Sequence, residues 1–567
     1  MHFSRLVTSI LAGHLVLSIP QAWAGIHSCL LDGGGGPTAA TGPKDTRLCG
    51  VEKIIAGMRS TYPSKVEETI MSGDGSAPGE DCRGYSAIKT KNGWEHERAG
   101  TVNGAEKLVA YNSDIKPLPG NKGTGTIKDA SSFHDECINP KKVKTTDACV
   151  FWSVNHGENQ TRAGGKPSSK ILYYTPVTHT VNAKPGLSTS EFRSKLDQRK
   201  CGAQRFILNN CFSGGMHETI YADDGRVIKN RCGASANPSW SVARTGTVPG
   251  EGIKEAGKTS YRQNMEYPFA NGVTEALANK KCLNASTNCS PSLDDAVFFA
   301  QLNPQLSDLP TSSSDHFLEG HFAEKTGLLR DQMVQLKLRA QHGEENFGCI
   351  ENNSLSQFWS TSGAAEIKDV VDAAGPKAVK NPSELFDPSG SKPPSLSWVT
   401  EDNAMKAKNV SEQDREFAKS DLTRMYQQVM KYEDWMCGEF WKDTCGKLTG
   451  IERNKFARQK WKEEYGNMTT ELGKQILDLS KRKADPKTSN SELDSIMAQK
   501  TALEAKLGEL MDKNHGYNRY ENLRNKLGNA MELYKTAPAE KIADYLTLRK
   551  CERAPFYSAG SEVKNEV

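Results

Sequence analysis

One apolar run limits what this chain can fold into. Residues 148–154 read ACVFWSV, so the side chains that would point to either face of a β-strand are largely non-polar, and the run stops abruptly at Asn155, His156 and Gly157. A strand that is apolar on both faces has to be covered on both sides, as is typical of a central strand in a parallel sheet. The run therefore predicts an α/β domain with helices on both faces of its sheet.

Other segments alternate between strand and helix patterns around this run. Ser188 and Glu191 have the spacing of a capping box and begin a helix. Asp224-Gly225 has the composition of a hairpin turn. The predicted strands are 26–31, 66–71, 148–154, 171–174, 205–208 and 232–236, and the other predicted helices cover 51–58 and 269–277. This order predicts a doubly wound, mostly parallel sheet, whereas residues 76–146 show no pattern that we can assign.

The chain changes character after about residue 290. Five prolines within 376–398 stand among Ser, Gly and Lys, which indicates an exposed linker. From about residue 411, apolar stripes at helical spacing, such as Leu422, Met425 and Val429, predict helices that pack on one another. We therefore divide the chain into a signal peptide (1–24), an α/β domain (25–290), an irregular, proline-rich linker region (291–400) and a helical C-terminal domain (401–567).

The N-terminus has the features of a secretory signal. Arg5 supplies positive charge, residues 6–17 are mostly apolar, and Ala22-Trp23-Ala24 is a small-x-small cleavage site before Gly25. No later run approaches the ~20 apolar residues that cross a bilayer, so no membrane span is predicted. We expect a secreted or periplasmic protein, in a compartment where cysteines normally pair.

Charge and cysteine spacing exclude several classes of partner. The chain has 73 basic and 69 acidic side chains, without the basic stripe that binding to a phosphate backbone requires, so nucleic acid is not an expected partner. None of the 14 cysteines forms a CxxC motif. Cys282 with Cys289 and Cys437 with Cys445 have spacings that favour local disulfides over a zinc site. No metal and no cofactor are predicted.

Two reactive side chains follow two of the predicted strands. His156 comes after the strand at 148–154, and Cys211 comes after the strand at 205–208, with a helix between. Because functional groups of open α/β sheets gather at the carboxyl ends of the strands, we expect the two side chains to be neighbours. An imidazole beside a thiol can activate it as a nucleophile and then protonate the leaving group. The backbone N–H groups of Gly157 and Cys211 could stabilise the oxyanion of acyl transfer.

These motifs resemble a known family. An apolar strand followed by His-Gly, and then by a second apolar strand and Cys-x-Ser-Gly, is similar to the caspase-like (clan CD) cysteine peptidases. Within that clan, Cys211-Phe212-Ser213-Gly214-Gly215-Met216 looks most like the legumain, or asparaginyl endopeptidase, branch. The segment Ser235-Ala236-Asn237-Pro238 also resembles the one that lines the specificity pocket of legumains.

The resemblance implies a caspase-like fold for about residues 26–280 and an exported endopeptidase that acts on a protein or peptide substrate. It assigns the catalytic dyad to Cys211 and His156, and the oxyanion contacts to Gly157 and Cys211. The implied substrate-binding residues are Ser235, Ala236, Asn237 and Asn209; legumains have an acidic residue at the position of Asn209. In position and helicity, the C-terminal domain resembles the inhibitory prodomain of legumains, which implies intramolecular inhibition.

Alternative interpretations stay open at this point. Cys211 could be an ordinary half-cystine, bonded to Cys201 or Cys232, and His134, His179 or His217 could replace His156 as the functional histidine. The rival function is a catalytically silent caspase-like fold whose helical C-terminal domain acts as a binding module. A third possibility is a secreted effector whose α/β domain serves only for self-processing.

Overall fold

The computed structural model describes part of the 567-residue chain. The described residues are 25–32, 54, 57, 60, 66–72, 87–90, 93–96, 109–112, 143–154, 157–160, 166–172, 186–239, 243, 246–248, 252–255, 258–261, 264–284, 289–304, 306, 308–326, 398–467 and 489–557. The predicted signal peptide, residues 376–397 of the predicted linker, and His156 lie outside them.

The described strands all belong to the first 312 residues. They are β1 (Ile26–Asp32), β2 (Val66–Ser72), β3 (Ala87–Thr90), β4 (Gly93–His96), β5 (Val109–Asn112), β6 (Ala148–Val154), β7 (Gly157–Asn159), β8 (Ser169–Leu172), β9 (Gly186–Ser188), β10 (Ala203–Asn209), β11 (Arg231–Ser235), β12 (Gly246–Val248), β13 (Gly252–Glu255), β14 (Lys258–Tyr261), β15 (Asn264–Glu266) and β16 (Thr311–Ser312). The strands predicted at 26–31, 66–71, 148–154, 205–208 and 232–236 are confirmed as β1, β2, β6, β10 and β11.

The described helices cover both the α/β part and the C-terminal region. They are α1 (Thr189–Asp197), α2 (Pro268–Ala278), α3 (Leu293–Gln301), α4 (Ser313–Thr326), α5 (Val399–Ala407), α6 (Glu412–Phe440), α7 (Lys442–Cys445), α8 (Ile451–Asn467), α9 (Asn490–Thr536) and α10 (Ala539–Arg553), with a 3₁₀ helix at Ser213–Ile220. Ile54, Gly57 and Ser60 are also helical. The predicted capping box is present at the start of α1, where Ser188 and Glu191 bond to each other's backbone.

The largest sheet is mostly parallel, as predicted. Its strands follow the order β16-β11-β10-β6-β1-β2-β5. The five inner strands are parallel, and β16 and β5 pair in the antiparallel sense at the two edges. Numbered along the chain, the parallel strands have the order 2-1-3-4-5, which is one of the two common arrangements of doubly wound sheets.

Helices cover both faces of this sheet because the inner strands are apolar on both sides. Every residue of β6 is buried. On one face, Phe192 of α1 packs between Phe151 and Phe206, with ring centroids 4.8 Å and 6.0 Å away. On the other face, Trp152 and Ile207 belong to a core that is completed by α2 and α3. The apolar run in β6 thus becomes the centre of a three-layer unit.

The α/β unit extends beyond the boundary predicted at residue 290. Residues 291–326 fall within the predicted linker region, but α3 packs on the sheet, β16 pairs with β11 as an edge strand, and α4 follows directly. A strand of two residues is too short to give a period-2 pattern, which explains why the sequence did not reveal it. Residues 76–146, which had no assigned pattern, contain β3, β4 and β5.

The core of the helical C-terminal region is continuous with the core on one face of the α/β sheet, the face that includes Phe151 and Phe206. Leu422, Met425 and Val429 of α6 are buried, which confirms the first predicted stripe. The core also includes aromatic residues of α9 such as Tyr517 and Tyr520. Among the described residues, no helix is both long enough and apolar enough to cross a membrane.

Disulfides occur within the α/β unit, within the helical region and between the two. The described pairs are Cys149–Cys201, Cys232–Cys551, Cys282–Cys289 and Cys437–Cys445. The two local pairs predicted from spacing are therefore confirmed. The pair Cys232–Cys551 joins β11 to α10 across 319 positions of sequence. The C-terminal region is thus covalently attached to the sheet.

A buried charge cluster holds the same two parts together. Arg549 of α10 is fully buried and forms ion pairs with Asp294 of α3 at 2.9 Å, Asp421 of α6 at 2.9 Å and Glu552 at 2.6 Å. Burial by itself would raise the pKa of Asp294, but the charges of Arg549 and Arg424 outweigh it and hold this pKa below its usual value. Loss of one partner would leave a buried charge uncompensated, so the cluster fixes α3, α6 and α10 in one arrangement.

The disulfide predicts the behaviour of the chain after it is cut. Beyond Cys349, the sequence contains only Cys437, Cys445 and Cys551, and the first two pair with each other. After one cut by a protease between residues 350 and 436, we expect the two fragments to stay together on a denaturing gel until a reductant is added. The control is Cys551→Ser, whose fragments should separate without reductant. Separation of the wild-type fragments in the absence of reductant would contradict the pairing.

A second buried cluster, between α6, α8 and α9, gives the helical region a dependence on pH. Glu433 is fully buried; its Oε1 accepts a hydrogen bond from the Tyr520 hydroxyl and lies 3.3 Å from Nε of Arg458. Burial raises the pKa of Glu433 to about 7, against the opposing effect of Arg458. The folded state therefore holds this proton at a pH where the unfolded chain has released it.

From this shift we expect the helical region to lose stability as the pH rises from about 4.5 towards 7. The contribution of protonated Glu433 to the free energy of unfolding is fully present below the pKa that this group has in the unfolded chain. It is lost as the pH rises through the pKa of the folded state, and amounts to on the order of 3 kcal/mol in total. Glu433→Gln should flatten this dependence in denaturant unfolding followed by circular dichroism at several pH values. Glu439→Gln, an exposed change on the same helix, is the control. An unchanged slope in Glu433→Gln would contradict the assignment.

Candidate active site

The predicted nucleophile lies at the carboxyl edge of the main sheet. Cys211 follows β10 by two residues, and β10 pairs with β6 so that Asn209 is opposite Val154. His156 follows Val154 by the same two residues in the sequence, but its placement lies outside the described residues. This edge is the one at which open α/β sheets bind their ligands.

Cys211 carries a thiol, and its side chain is buried. Only 3% of the residue is exposed, and its Sγ lies 3.8 Å from the carbonyl oxygen of Ala243. The two cysteines considered as disulfide partners are otherwise engaged, since Cys201 pairs with Cys149 and Cys232 pairs with Cys551. The structure therefore does not support the interpretation of Cys211 as a half-cystine with either of them.

Gly157 is in direct backbone contact with Cys211. A Cβ atom added at Gly157 would overlap the carbonyl oxygen of Cys211 and would lie 3.1 Å from its backbone nitrogen. Glycine is required here by this close approach. The two residues predicted to supply oxyanion N–H groups are thus brought together by the fold, although they are far apart in the sequence.

The residue after Cys211 has an unusual backbone conformation. Phe212 lies in the left-handed region, with φ 57° and ψ 18°, and its side chain is fully buried. A residue with a Cβ adopts this conformation at a cost of roughly 1–2 kcal/mol. The chain then enters the 3₁₀ helix, where Gly214 packs closely against the backbone of Pro238 and Ser239. Cys211 therefore stands at a sharp turn between a strand and a helix.

Three of the predicted substrate-binding residues lie at the end of β11 and are deeply buried. Ser235 is hydrogen-bonded through its hydroxyl to the backbone oxygen of Asn237 at 2.8 Å and to Thr311 at 2.8 Å. The amide of Asn237 is engaged at both ends, with Asp308 and with the backbone N–H of Leu309. The backbone N–H of Ala236 donates to the carbonyl oxygen of Leu208. These contacts connect β11 with β10 and with the segment before β16.

Asn209, the fourth predicted substrate-binding residue, differs from the others. Its Oδ1 accepts a hydrogen bond from the backbone N–H of Ala270 at 3.3 Å, which fixes the orientation of the amide. Within the described part of the chain, its buried Nδ2 has no hydrogen-bond partner. The amide therefore offers a hydrogen-bond donor two residues before Cys211.

His217 is placed in the core, away from any solvent. Its ring is completely buried between the hydroxyls of Ser313, 3.0 Å from Nδ1, and Ser235, 3.1 Å from Nε2. Burial and the neighbouring His316 lower the pKa of His217 well below its usual value. A neutral, enclosed imidazole of this kind connects the 3₁₀ helix to β11 and α4. The other competing histidines, His134 and His179, lie outside the described residues.

The comparisons with known proteins found no match, so the functional assignment depends on the geometry of the site. No model of a known protein family matches the chain, and no curated protein matches it either. What the described geometry offers is a thiol at a sharp strand-to-helix turn, against the backbone of Gly157. Thiols positioned next to backbone N–H donors are suited to acyl transfer.

Two hydroxyl residues at this site were not found from the sequence. Ser169, at the start of β8, donates a hydrogen bond to the carbonyl oxygen of Phe212. Thr189 is hydrogen-bonded to both the N–H and the carbonyl oxygen of Ser169, at 2.9 Å and 3.0 Å. Serine and threonine are common throughout the chain, and these contacts join segments that are 20 and 43 residues apart, so no local pattern could have indicated them.

The contact between Gly157 and Cys211 predicts the effect of a small substitution. In Gly157→Ala, the added methyl group would collide with backbone that cannot easily move, so we expect a loss of about 1–3 kcal/mol in the free energy of unfolding. The control is Gly438→Ala in α6, where the new Cβ would meet only the end of the Arg453 side chain at 3.1 Å. There the higher helix propensity of alanine should stabilise by up to about 1 kcal/mol. Equal effects of the two changes in denaturant unfolding would contradict the described contact.

Proposed function

We propose that this protein is an exported cysteine endopeptidase of the caspase-like, most nearly legumain-like, kind. The observation that carries the proposal is the contact of Gly157 with the backbone of Cys211 at the carboxyl edge of a parallel sheet. His156, the proposed base, is joined to Gly157 by a peptide bond. Cys211 carries the thiol that the reaction needs.

In the proposed reaction, His156 takes the proton of the Cys211 thiol, and the sulfur attacks the carbonyl carbon of a peptide bond. The N–H groups of Gly157 and Cys211 hold the oxyanion that forms. The carbon–nitrogen bond then breaks, and His156 gives its proton to the departing amine. Water, deprotonated by His156, hydrolyses the thioester and restores the thiol. No cofactor takes part in this proposal.

Asn209 is the strongest candidate among the proposed substrate-binding residues. The side chains of Ser235 and Asn237 are engaged in internal hydrogen bonds, whereas the buried Nδ2 of Asn209 has no partner among the described residues. Legumains have an acidic residue, which accepts hydrogen bonds, at the position of Asn209, whereas the Asn209 amide group donates one. This supports a substrate group that accepts a hydrogen bond.

The proposed export agrees with the disulfide content. Nine of the described cysteines are disulfide-bonded, which favours a secreted or periplasmic location over the reducing cytosol. The C-terminal helices are the proposed internal inhibitor. Because Cys232–Cys551 attaches them to β11, we expect an activating cut between the two parts to give a two-chain enzyme.

A thiol-directed peptidyl inhibitor tests the proposal. After a cut in the predicted linker between residues 376 and 398, it should label Cys211 of the wild-type protein and block its cleavage of casein, while Cys211→Ala, cut in the same way, should be unlabelled and inactive. His156→Ala should reduce both the labelling and the cleavage at least 100-fold, because the thiol loses its base. His179→Ala is the matched control and should retain activity.

Three other results would count against the proposal. A wild-type protein that, after the cut, is neither labelled nor able to cleave casein favours a silent fold with a helical binding module. An internal cut that disappears in Cys211→Ala, while external substrates stay intact, favours self-processing alone. Labelling that persists in Cys211→Ala would assign the nucleophile to another residue.

A further inference from the structure

The turn that carries Cys211 is strained at one residue. Phe212 has a positive φ of 57°, a backbone conformation that residues with a Cβ rarely adopt, and its ring is fully buried. Such a conformation persists only when neighbouring contacts over-determine it. The contacts that hold Phe212 therefore also decide where Cys211 stands.

The carbonyl oxygen of Phe212 accepts two hydrogen bonds that fix this turn. One comes from the backbone N–H of Gly215 within the 3₁₀ helix, at 3.0 Å. The other comes from the hydroxyl of Ser169, a residue 43 positions earlier in the chain. The second bond is the one that ties the turn to a separate element, β8.

Ser169 is itself held rigidly. It is 1% exposed, its backbone N–H donates to Oγ1 of Thr189 at 2.9 Å, and its carbonyl oxygen accepts from the same hydroxyl at 3.0 Å. Gly215 lies so close that a Cβ there would overlap the Ser169 hydroxyl. The hydroxyl therefore has little freedom to leave the Phe212 carbonyl oxygen.

We propose that Ser169 is a positioning residue for Cys211. Its hydroxyl holds the Phe212 carbonyl oxygen, keeps the left-handed turn in place, and so fixes the direction of the adjacent thiol and of the Cys211 N–H. This role rests on the proposed function, in which Cys211 is the nucleophile. The small sheet of β7, β8 and β9 then contacts the turn at two points, through Gly157 at Cys211 and through Ser169 at Phe212.

The test compares variants of the full-length protein, each cut in the predicted linker between residues 376 and 398. The rate at which iodoacetamide alkylates Cys211 is measured by mass spectrometry of the Cys211 peptide from pH 5 to 9. In Ser169→Ala, we expect this rate to fall by about tenfold to a hundredfold, as for a catalytic group displaced by about an ångström. The midpoint of its pH dependence should move upwards, and kcat for a peptide substrate should fall with KM little changed. Ser169→Thr, which keeps the hydroxyl, should restore most of the rate.

Ser190→Ala, an exposed change in the first turn of α1, is the control and should behave as the wild type. If Ser169→Ala does not fold, Thr189→Val, which removes the hydroxyl that anchors the Ser169 backbone, should shift the labelling in the same direction. A wild-type rate and pH midpoint in the folded Ser169→Ala or Thr189→Val protein would overturn the positioning role alone. A cut wild-type protein whose Cys211 cannot be alkylated at all would instead overturn the proposed function, and the inference with it.

Discussion

The parallel pairing of β6 with β10 is the constraint on which the candidate site depends. It places Val154 opposite Asn209, so the residues after these two strands leave the sheet at the same edge. The pairing forms because both strands are buried along their whole length and have to be flanked by other strands. A shift of either strand by one residue would turn its phenylalanine, Phe151 or Phe206, away from Phe192, so the hydrophobic core itself fixes the register.

The position of Cys211 is fixed largely by the close packing of glycine residues around its turn. Gly157 touches the Cys211 peptide, Gly214 touches Pro238 and Ser239, and Gly215 touches Ser169. Each contact needs a residue without a Cβ, which explains why glycines surround the proposed nucleophile. Against this rigid frame, the strained Phe212 can be held in a conformation that an isolated peptide would leave.

The helical C-terminal region is built into the α/β unit rather than placed beside it. Cys232–Cys551 connects it to β11, the buried Arg549 reaches Asp294 of α3, and the ring of Phe556 lies 6.3 Å from that of Trp152 in the central strand. A detachable domain would not be expected to share a charge cluster and a hydrophobic core with its neighbour. The proposed inhibition by the C-terminal helices therefore has to be relieved while they stay attached to the α/β unit.

The sequence by itself determined the inner strands, the capping box of α1 and the two local disulfides. It also indicated that Cys211 lies close to Gly157. These features follow from periodicity or short spacing, and burial and local hydrogen bonding act directly on such patterns. Only the tertiary structure decided that β16 completes the sheet, that Cys551 pairs with Cys232, and that Ser169 bonds to Phe212. Each of these is a contact between distant segments, and its partner is chosen by how whole elements pack, which no local run of residues encodes.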